Sequence, residues 1–300
     1  MISYKIKKNL KLIVFKIIRK CLEISSKIIF TKFFYKLLTK IKYSEFFLER
    51  DDYKNEFISS HSDTEWIIEK LSKEGFCTIN DFWSEEKCFN GKNDIDELLI
   101  NYPQYIQSKN KSDYRVYGAE KISDNINSFA KNKLLMSVAE NYNKKNSRLG
   151  FTLAAKMPAK ENNKGSGEGW HRDGFYRQFK TLLYLTDVGK DNGPFELIFN
   201  SQKCKNLIED IKTADLKYMQ HRLSDFEINK ILLKNPQRKK TILGKMGTLI
   251  LVDTSTLHRG APIKKGIRYA LTNYYYTVNQ INKELYKKFK VIKENQIKIK

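Results

Sequence analysis

The 300-residue sequence is poor in cysteine and histidine, with four of each, and it has no long apolar run. The cysteines are scattered, form no C-x-x-C pair and fit neither a zinc pattern nor a disulfide framework, which favours a reducing cytoplasm. No stretch reaches the roughly 18 charge-free apolar residues that a membrane span requires. The first residues lack a signal-peptide layout, because lysines interrupt their apolar positions. We therefore expect a cytoplasmic protein that is soluble or lies on a membrane surface.

Acidic residues are also scarce relative to basic ones, and the formal net charge is +22. The basic excess is concentrated at the two ends, because Met1–Lys42 has 12 Lys or Arg and one acid, and Lys283–Lys300 has seven Lys and two acids. Over the whole chain, 41% hydrophobic and 13% aromatic residues are typical of a globular protein and exclude a disordered one. The charge indicates either an anionic partner for the ends or a biased composition, since Lys outnumbers Arg by 46 to 10.

Residues 9–41 repeat apolar side chains at helical spacing, with lysines on much of the opposite side. This pattern predicts a basic amphipathic helix at the N-terminus. Such a helix either attaches residues 1–42 to an anionic membrane surface or packs on the following domain or on a partner. The chain is accordingly divided into a helical extension over residues 1–50, a main domain over residues 51–282 and a basic tail over residues 283–300.

The character of the chain changes near Leu149. The preceding part is mostly helical by its apolar spacing, whereas residues 149–277 contain short β-rich runs separated by turns. Many short strands without long helices between them predict an antiparallel barrel or jelly roll. The polar stretch 204–240 has helical character and is interpreted as an insertion. The predicted fold class is α+β, with a mainly β core flanked by helices.

Metal chemistry is first suggested by His171 and Asp173, which are two residues apart in a segment with a strand pattern. On a strand, positions i and i+2 point to the same face, close enough for both side chains to reach one metal ion. His258 follows another apolar run and is the candidate third ligand. Two histidines and one carboxylate on one face of an octahedron are typical of non-haem Fe(II) oxygenases. The alternative is a surface pair without a metal, since a histidine and an aspartate often occur at this spacing by chance.

Arg268 begins a β-rich run ten residues after His258. Strand alternation puts Arg268 on the same face as Ala270, Thr272 and Tyr274. A guanidinium that faces into a barrel is costly unless it meets an anion, and an anionic cosubstrate is the natural partner. An arginine paired with a protein carboxylate is the structural alternative.

With these residues in place, the sequence resembles the phytanoyl-CoA dioxygenase family of Fe(II)- and 2-oxoglutarate-dependent oxygenases over about residues 63–277. The segments that carry the resemblance occur in the family's order, and they are Trp170-His171-Arg172-Asp173-Gly174-Phe175, Leu183-Tyr184-Leu185-Thr186-Asp187-Val188, Asn192-Gly193-Pro194-Phe195, Gly247-Thr248-Leu249-Ile250-Leu251-Val252-Asp253, His258-Arg259-Gly260 and Gly266-Ile267-Arg268.

The resemblance implies a fold, a set of cofactors and a site. The fold is a double-stranded β-helix, that is a cupin-like jelly roll, and the cofactors are Fe(II), 2-oxoglutarate as cosubstrate and O₂. His171, Asp173 and His258 would bind the iron, and Arg268 would bind the far carboxylate of 2-oxoglutarate. In the family, a Lys ahead of a Pro on the strand before the iron motif also approaches the cosubstrate, and Lys156, ahead of Met157-Pro158, matches it. The implied activity is a dioxygenase that hydroxylates a small organic substrate.

Two features of the sequence refine this expectation. Related halogenases lack the ligand carboxylate, so the presence of Asp173 favours hydroxylation over chlorination. Where relatives often have Gly, Ser or Thr followed by His, this chain has Asn200-Ser201-Gln202, which affects expected substrate contacts more than iron binding. Candidate pocket residues share aromatic or cationic side chains near the motifs, and they are Trp170, Phe175, Tyr176, Arg177, Arg259 and Tyr274–Tyr276.

A competing hypothesis takes the charge as the main function. In it, a basic protein binds a membrane surface or nucleic acid and uses the jelly roll as an inactive scaffold. Such binding would weaken steeply with salt and persist without iron. The enzyme hypothesis expects no nucleic-acid partner, and it is favoured because the three candidate ligands and Arg268 occur together.

Overall fold

A computed structural model describes most of the chain after the N-terminal extension. The described residues are 62–108, 113–143, 147–175, 177–217, 220–277 and 281–293, together with the single positions 14, 17 and 21. The predicted amphipathic helix over residues 9–41 and the candidate pocket residue Tyr176 therefore lie outside the described residues, apart from those three positions. Among the described residues, no helix is long and apolar enough to cross a membrane.

Helices and strands alternate irregularly along the described chain. The α-helices are α1 (Ser62–Glu74), α2 (Glu85–Asn101), α3 (Asp124–Ala130), α4 (Lys133–Asn143), α5 (Cys204–Ala214), α6 (Asp225–Lys234) and α7 (Lys283–Phe289). The strands are β1 (Phe76–Ile79), β2 (Ile106–Gln107), β3 (Tyr114–Tyr117), β4 (Ser147–Pro158), β5 (Phe179–Tyr184), β6 (Phe195–Ile198), β7 (Lys239–Ile242), β8 (Leu249–Asp253), β9 (His258–Gly260) and β10 (Ile267–Thr277).

The strands form two antiparallel sheets. The larger has seven strands in the order β1-β8-β5-β10-β4-β3-β2, and the smaller has three in the order β7-β6-β9. Every pairing between named strands is antiparallel. Many neighbouring strands are not consecutive in sequence, as when β5 lies between β8 and β10, which is the topology of a jelly roll. The predicted fold class is confirmed.

The two faces of the seven-stranded sheet have different neighbours. Its outer face, with Leu183 and Leu271, packs against α1 to α4 in one large apolar cluster. Its inner face, with Ala155 and Ala270, closes over the interior of the jelly roll. Alternate residues of one strand therefore serve different purposes, and Arg268 and Ala270 of β10 share the inner face as predicted.

Several local predictions need correction. Residues 170–175 were expected to be a strand, but the only β pairing in this segment is at His171. The single helix expected over residues 126–143 is two helices, α3 and α4, with a break between Ala130 and Lys133. Asn132 lies in this break and caps the start of α4, because its side-chain oxygen accepts a hydrogen bond from Leu135 N at 3.2 Å. Three strands of the main sheet, β1 to β3, precede the core that was expected to begin near Leu149.

The expected insertion is present as α5 and α6, which lie between β6 and β7. Ser224 and Glu227 form a capping box that starts α6, and the buried faces of both helices cover Trp170 and Leu257. The C-terminal basic segment begins as α7, after which Val291 and Ile292 are buried against β3. Part of the expected tail is thus packed on the domain.

Candidate active site

Two backbone hydrogen bonds hold the two candidate histidine ligands side by side. His171 N donates to His258 O at 2.9 Å, and His258 N donates to His171 O at 2.8 Å. Asp173 N donates to Thr254 O at 2.9 Å, which fixes the next part of the same segment. These bonds replace the regular strand that the spacing predicted, and they still direct His171 and Asp173 toward His258.

The ligand atoms of His171, Asp173 and His258 all lie within 4.8 Å of one another. His171 Nε2 is 3.7 Å from Asp173 Oδ1, and His258 Nε2 is 3.9 Å from Asp173 Oδ2. Donor atoms bound to one transition-metal ion at about 2.1 Å are separated by about 3.0 Å when they lie at right angles, so a small inward movement of these side chains lets them hold one ion. Two imidazoles and one carboxylate with room for further ligands is the donor set of a non-haem iron site. The residues therefore fit an iron ion.

The other ring nitrogen of each histidine is also held. His171 Nδ1 is 2.9 Å from Gly169 O, and His258 Nδ1 is 2.8 Å from Thr256 O. A carbonyl only accepts, so each Nδ1–H donates and leaves Nε2 as a free donor to a metal. Gly167 has a φ of +86°, and a Cβ there would be 2.3 Å from His171 Cε1, so only glycine lets the backbone cover this ring.

The charge state of the three side chains suits a metal. Burial, with a contribution from His171, lowers the pKa of His258 to about 3, and burial also lowers the pKa of His171. Burial alone would raise the pKa of Asp173, but the ammonium of Lys180 and the neighbouring imidazoles hold it below its ordinary value. At neutral pH the site therefore offers two neutral imidazoles and one carboxylate, which are the forms that coordinate metals.

Arg268 is buried inside the jelly roll, with 2% of its surface exposed. Its Nη2 lies 3.0 Å from Met157 Sδ, whereas Nε and Nη1 have no hydrogen-bond partner. Burial lowers the pKa of this guanidinium, and no carboxylate of the described residues forms an ion pair with it. The structural alternative, an arginine paired with a protein carboxylate, has no support in this part of the chain. An unpaired buried cation of this kind is a place for an anion.

Arg268 lies beside β9, the strand that carries His258. A Cβ at Gly260, two residues after His258 on β9, would lie 3.0 Å from Arg268 Nη2. The absence of a side chain at this position therefore leaves room for the guanidinium beside the strand that carries His258.

Lys156 is the one predicted site residue that the structure places elsewhere. It is opposite Tyr269 on β10, one residue out of phase with Met157 and Arg268, so its side chain leaves the other face of the sheet. There its Nζ donates to Asp96 Oδ1 of α2 at 2.7 Å. The lysine matched through the resemblance therefore contacts a helix and not the site.

A different lysine, Lys180 on β5, faces the site and was missed. Its Nζ donates to Asp173 Oδ2 at 2.7 Å and lies 3.9 Å from the centre of the Tyr274 ring. The signal was available, because a lysine in the apolar strand Phe179–Tyr184, in phase with Leu182 and Tyr184, is unusual on an inner face.

Arg115 on β3 is a second missed cation inside the jelly roll. It is opposite Ala155, forms an ion pair with the buried Asp113 and donates to Ser166 Oγ at 3.2 Å. No motif identified it, because β3 was not predicted as part of the barrel.

The other candidate pocket residues have mainly structural contacts. Trp170 is buried and its indole donates to Asp225, while Arg259 lies over the Trp170 ring and pairs with Glu196. Tyr275 packs in the outer apolar cluster, whereas Tyr274 and Tyr276 pack against the inner one, and Tyr274 is the tyrosine beside Lys180. Ser201, in the segment that departs from the family, accepts from Leu257 N and so supports the chain ahead of His258.

Comparison with known proteins agrees with this geometry. The family model described as phytanoyl-CoA dioxygenase (PhyH) matches residues 71–267, about two thirds of the chain. A search of curated protein sequences gives no match.

Solved structures share the fold at low sequence identity. The epimerase SnoN from nogalamycin biosynthesis, in complex with Fe³⁺, α-ketoglutarate and nogalamycin RO, is 14% identical, with a TM-score of 0.55 over 72% of this chain and 84% of that chain. EctD from S. alaskensis, with 2-oxoglutarate and 5-hydroxyectoine, is 16% identical, with a TM-score of 0.54 over 76% of this chain and 79% of that chain. HygX from Streptomyces hygroscopicus, with nickel and 2-oxoglutarate, is 11% identical, with a TM-score of 0.51 over 73% and 88%.

The family match covers the segment that contains all three candidate ligands, and it confirms the resemblance and the class of enzyme predicted from the sequence. Iron and 2-oxoglutarate are accordingly the cofactors of the predicted reaction. The chain belongs to the phytanoyl-CoA dioxygenase family of iron- and 2-oxoglutarate-dependent oxygenases.

Proposed function

We propose that His171, Asp173 and His258 bind Fe(II), that Arg268 binds 2-oxoglutarate, and that the enzyme hydroxylates a small organic substrate. The observation that carries the proposal is the convergence of three metal-ligand side chains inside a barrel that also contains a buried, unpaired arginine. When bound, iron and 2-oxoglutarate supply the activation of O₂ and the insertion of oxygen into a C–H bond, with succinate and CO₂ as coproducts.

The residues of the chain supply binding, orientation and exclusion of water. Arg268 offers Nε and Nη1 to a carboxylate in a buried setting, where a forked charge-assisted hydrogen bond is strong. His171 and His258 are pre-oriented through their Nδ1 hydrogen bonds, so little rearrangement is needed when a metal binds. Asp173 supplies the third ligand, and its presence supports hydroxylation over chlorination.

The test is Fe(II)-dependent conversion of 2-oxoglutarate to succinate by the purified chain. His171→Ala and Asp173→Ala should each abolish it while leaving the circular dichroism spectrum and melting cooperativity unchanged. Adding a host metabolite extract and searching by mass spectrometry for a product heavier by one oxygen would identify the substrate. Full turnover in both variants would refute the ligand assignment.

We also propose that the enzyme is cytoplasmic and that the segment 1–42 attaches it to an anionic membrane surface. The apolar stripe and the 12 basic residues support this, as do Val14 and Ile17, which are 48% and 58% exposed. The proposed units remain the extension 1–50, the oxygenase domain 51–282 and the basic segment 283–300.

Flotation with vesicles tests the attachment. The full chain should float with anionic vesicles and not with neutral ones, and its recovery should fall as salt is raised. A chain that begins at Tyr43 should not float with either. Equal recovery of the two chains with anionic vesicles would show that the segment is not the anchor.

A further inference from the structure

Lys180 occupies an unusual position for a lysine. Only 8% of its surface is exposed, and its ammonium is enclosed by the Asp173 carboxylate and the Tyr274 ring. A buried ammonium is retained only where it has a partner, and the partner here is one of the proposed iron ligands. The position of Lys180 is therefore tied to the metal site and not to the fold alone.

The two oxygens of Asp173 are not equivalent. Oδ1 is 3.7 Å from His171 Nε2 and Oδ2 is 3.9 Å from His258 Nε2, but Oδ2 alone also accepts a hydrogen bond from Lys180 Nζ, at 2.7 Å. A charge-assisted hydrogen bond at this distance is strong, and breaking it would leave a buried cation without a partner. One lone pair of Oδ2 is thus engaged by Lys180, whereas both lone pairs of Oδ1 stay open to a metal ion.

We infer that Lys180 is a positioning residue that makes Asp173 bind iron through Oδ1 alone. This inference rests on the proposed function. A carboxylate that is free to rotate can bind a metal through one oxygen or two. If both oxygens of Asp173 bound the iron, the protein would supply four donor atoms in place of three. Two of the six positions would then be left, too few for a bidentate 2-oxoglutarate and O₂ together.

The direction of the change in Mn(II) affinity separates the effect of removing the lysine from a general loss of structure. Lys180→Met removes a positive charge beside the metal and frees Oδ2 to bind, so Mn(II) affinity should rise, by roughly tenfold. The extra metal–oxygen bond should at the same time weaken the binding of 2-oxoglutarate to the metal-loaded protein. A variant that had merely lost its packing would weaken both.

The experiment measures water-proton relaxation of the full chain loaded with Mn(II), which counts the exchangeable waters on the metal. The wild type should show about three waters, as expected for a face of three protein ligands, and Lys180→Met about two. Lys180→Arg keeps the charge and should keep the wild-type count. Lys239→Met is the matched control, because Lys239 holds the carboxylate of Glu196 at 2.8 Å in the smaller sheet, and it should also keep the count.

A crystal structure of the wild type with Mn(II) provides a second measurement that does not depend on the folding of any variant. Mn(II) on Oδ1, with Lys180 Nζ still hydrogen-bonded to Oδ2, is the expected result. Both carboxylate oxygens on the metal, or a wild-type water count in Lys180→Met, would overturn the inference alone. A wild-type chain that binds no Mn(II) would overturn the proposed function, and the inference with it.

Discussion

The two faces of the seven-stranded sheet are built from the same strands but are stabilised differently. On the outer face, Leu183 and Leu271 are fully buried among apolar side chains of four helices. On the inner face, β5 and β10 place Lys180 and Arg268 in an interior that water barely reaches. Burying apolar groups contributes stability, whereas burying charges costs it unless a partner of opposite charge is present. The outer face thus maintains the fold, whereas on the inner face Lys180 is paired with Asp173 and Arg268 has no ion-pair partner among the described residues.

The largest expected effect on stability belongs to the outer face. Leu271→Ala removes a fully buried side chain from the large apolar cluster and should lower the free energy of unfolding by about 2 to 5 kcal/mol. Chemical denaturation would measure this change. The affinity of the folded variant for 2-oxoglutarate should not change, and a parallel loss of that affinity would show that the two faces are not separable.

The second prediction concerns the inner face, where a substitution should weaken ligand binding without lowering stability. Arg268→Leu should weaken 2-oxoglutarate binding to the metal-loaded protein by about tenfold or more, the equivalent of one lost charge-assisted pair. Stability should stay the same or increase, because an unpaired buried cation is replaced by an apolar side chain.

Calorimetric titration of 2-oxoglutarate, alongside thermal melting, checks both parts of that expectation. Arg268→Lys is the informative companion, since a lysine keeps the charge without the fork and should bind with intermediate affinity. Unchanged affinity with a lowered melting temperature would instead make Arg268 a structural residue.

The smallest expected effect concerns Lys156. Its pair with Asp96 is partly exposed and lies on the outer side of the sheet, so Lys156→Met should change stability by less than about 1 kcal/mol. The same titration should give 2-oxoglutarate affinity within about twofold of the wild type. A tenfold loss of 2-oxoglutarate affinity would show that Lys156 contributes to the site. It would contradict the face of the sheet on which the structure places this side chain.

The sequence was sufficient for most of the site because its motifs are local. His171 and Asp173 are two residues apart, and strand alternation correctly grouped Arg268 with Ala270 on one face of β10. The strand pattern at residues 170–175 was wrong in detail, yet the prediction that these side chains converge with His258 agrees with the distances.

What the sequence could not supply was the pairing of strands. Lys156 and Met157 are adjacent, and only the register with β10 decides which of them shares a face with Arg268. Arg115 depends on a pairing between β3 and β4, across some 40 residues of chain, that no local pattern reveals. The N-terminal amphipathic helix and its membrane attachment stay predictions.

The reciprocal backbone bonds between His171 and His258 have a consequence for how the geometry of the site would change with motion of the strands. The backbones of His171 and His258 are hydrogen-bonded to each other in both directions. The two histidines are therefore expected to move together when the strands of the jelly roll shift. Asp173 is held instead by hydrogen bonds to Thr254 O and from Lys180, outside that reciprocal pair. In the proposed iron site, a shift between the strands would therefore keep the spacing of the two histidines and would first change the distance from either histidine to Asp173.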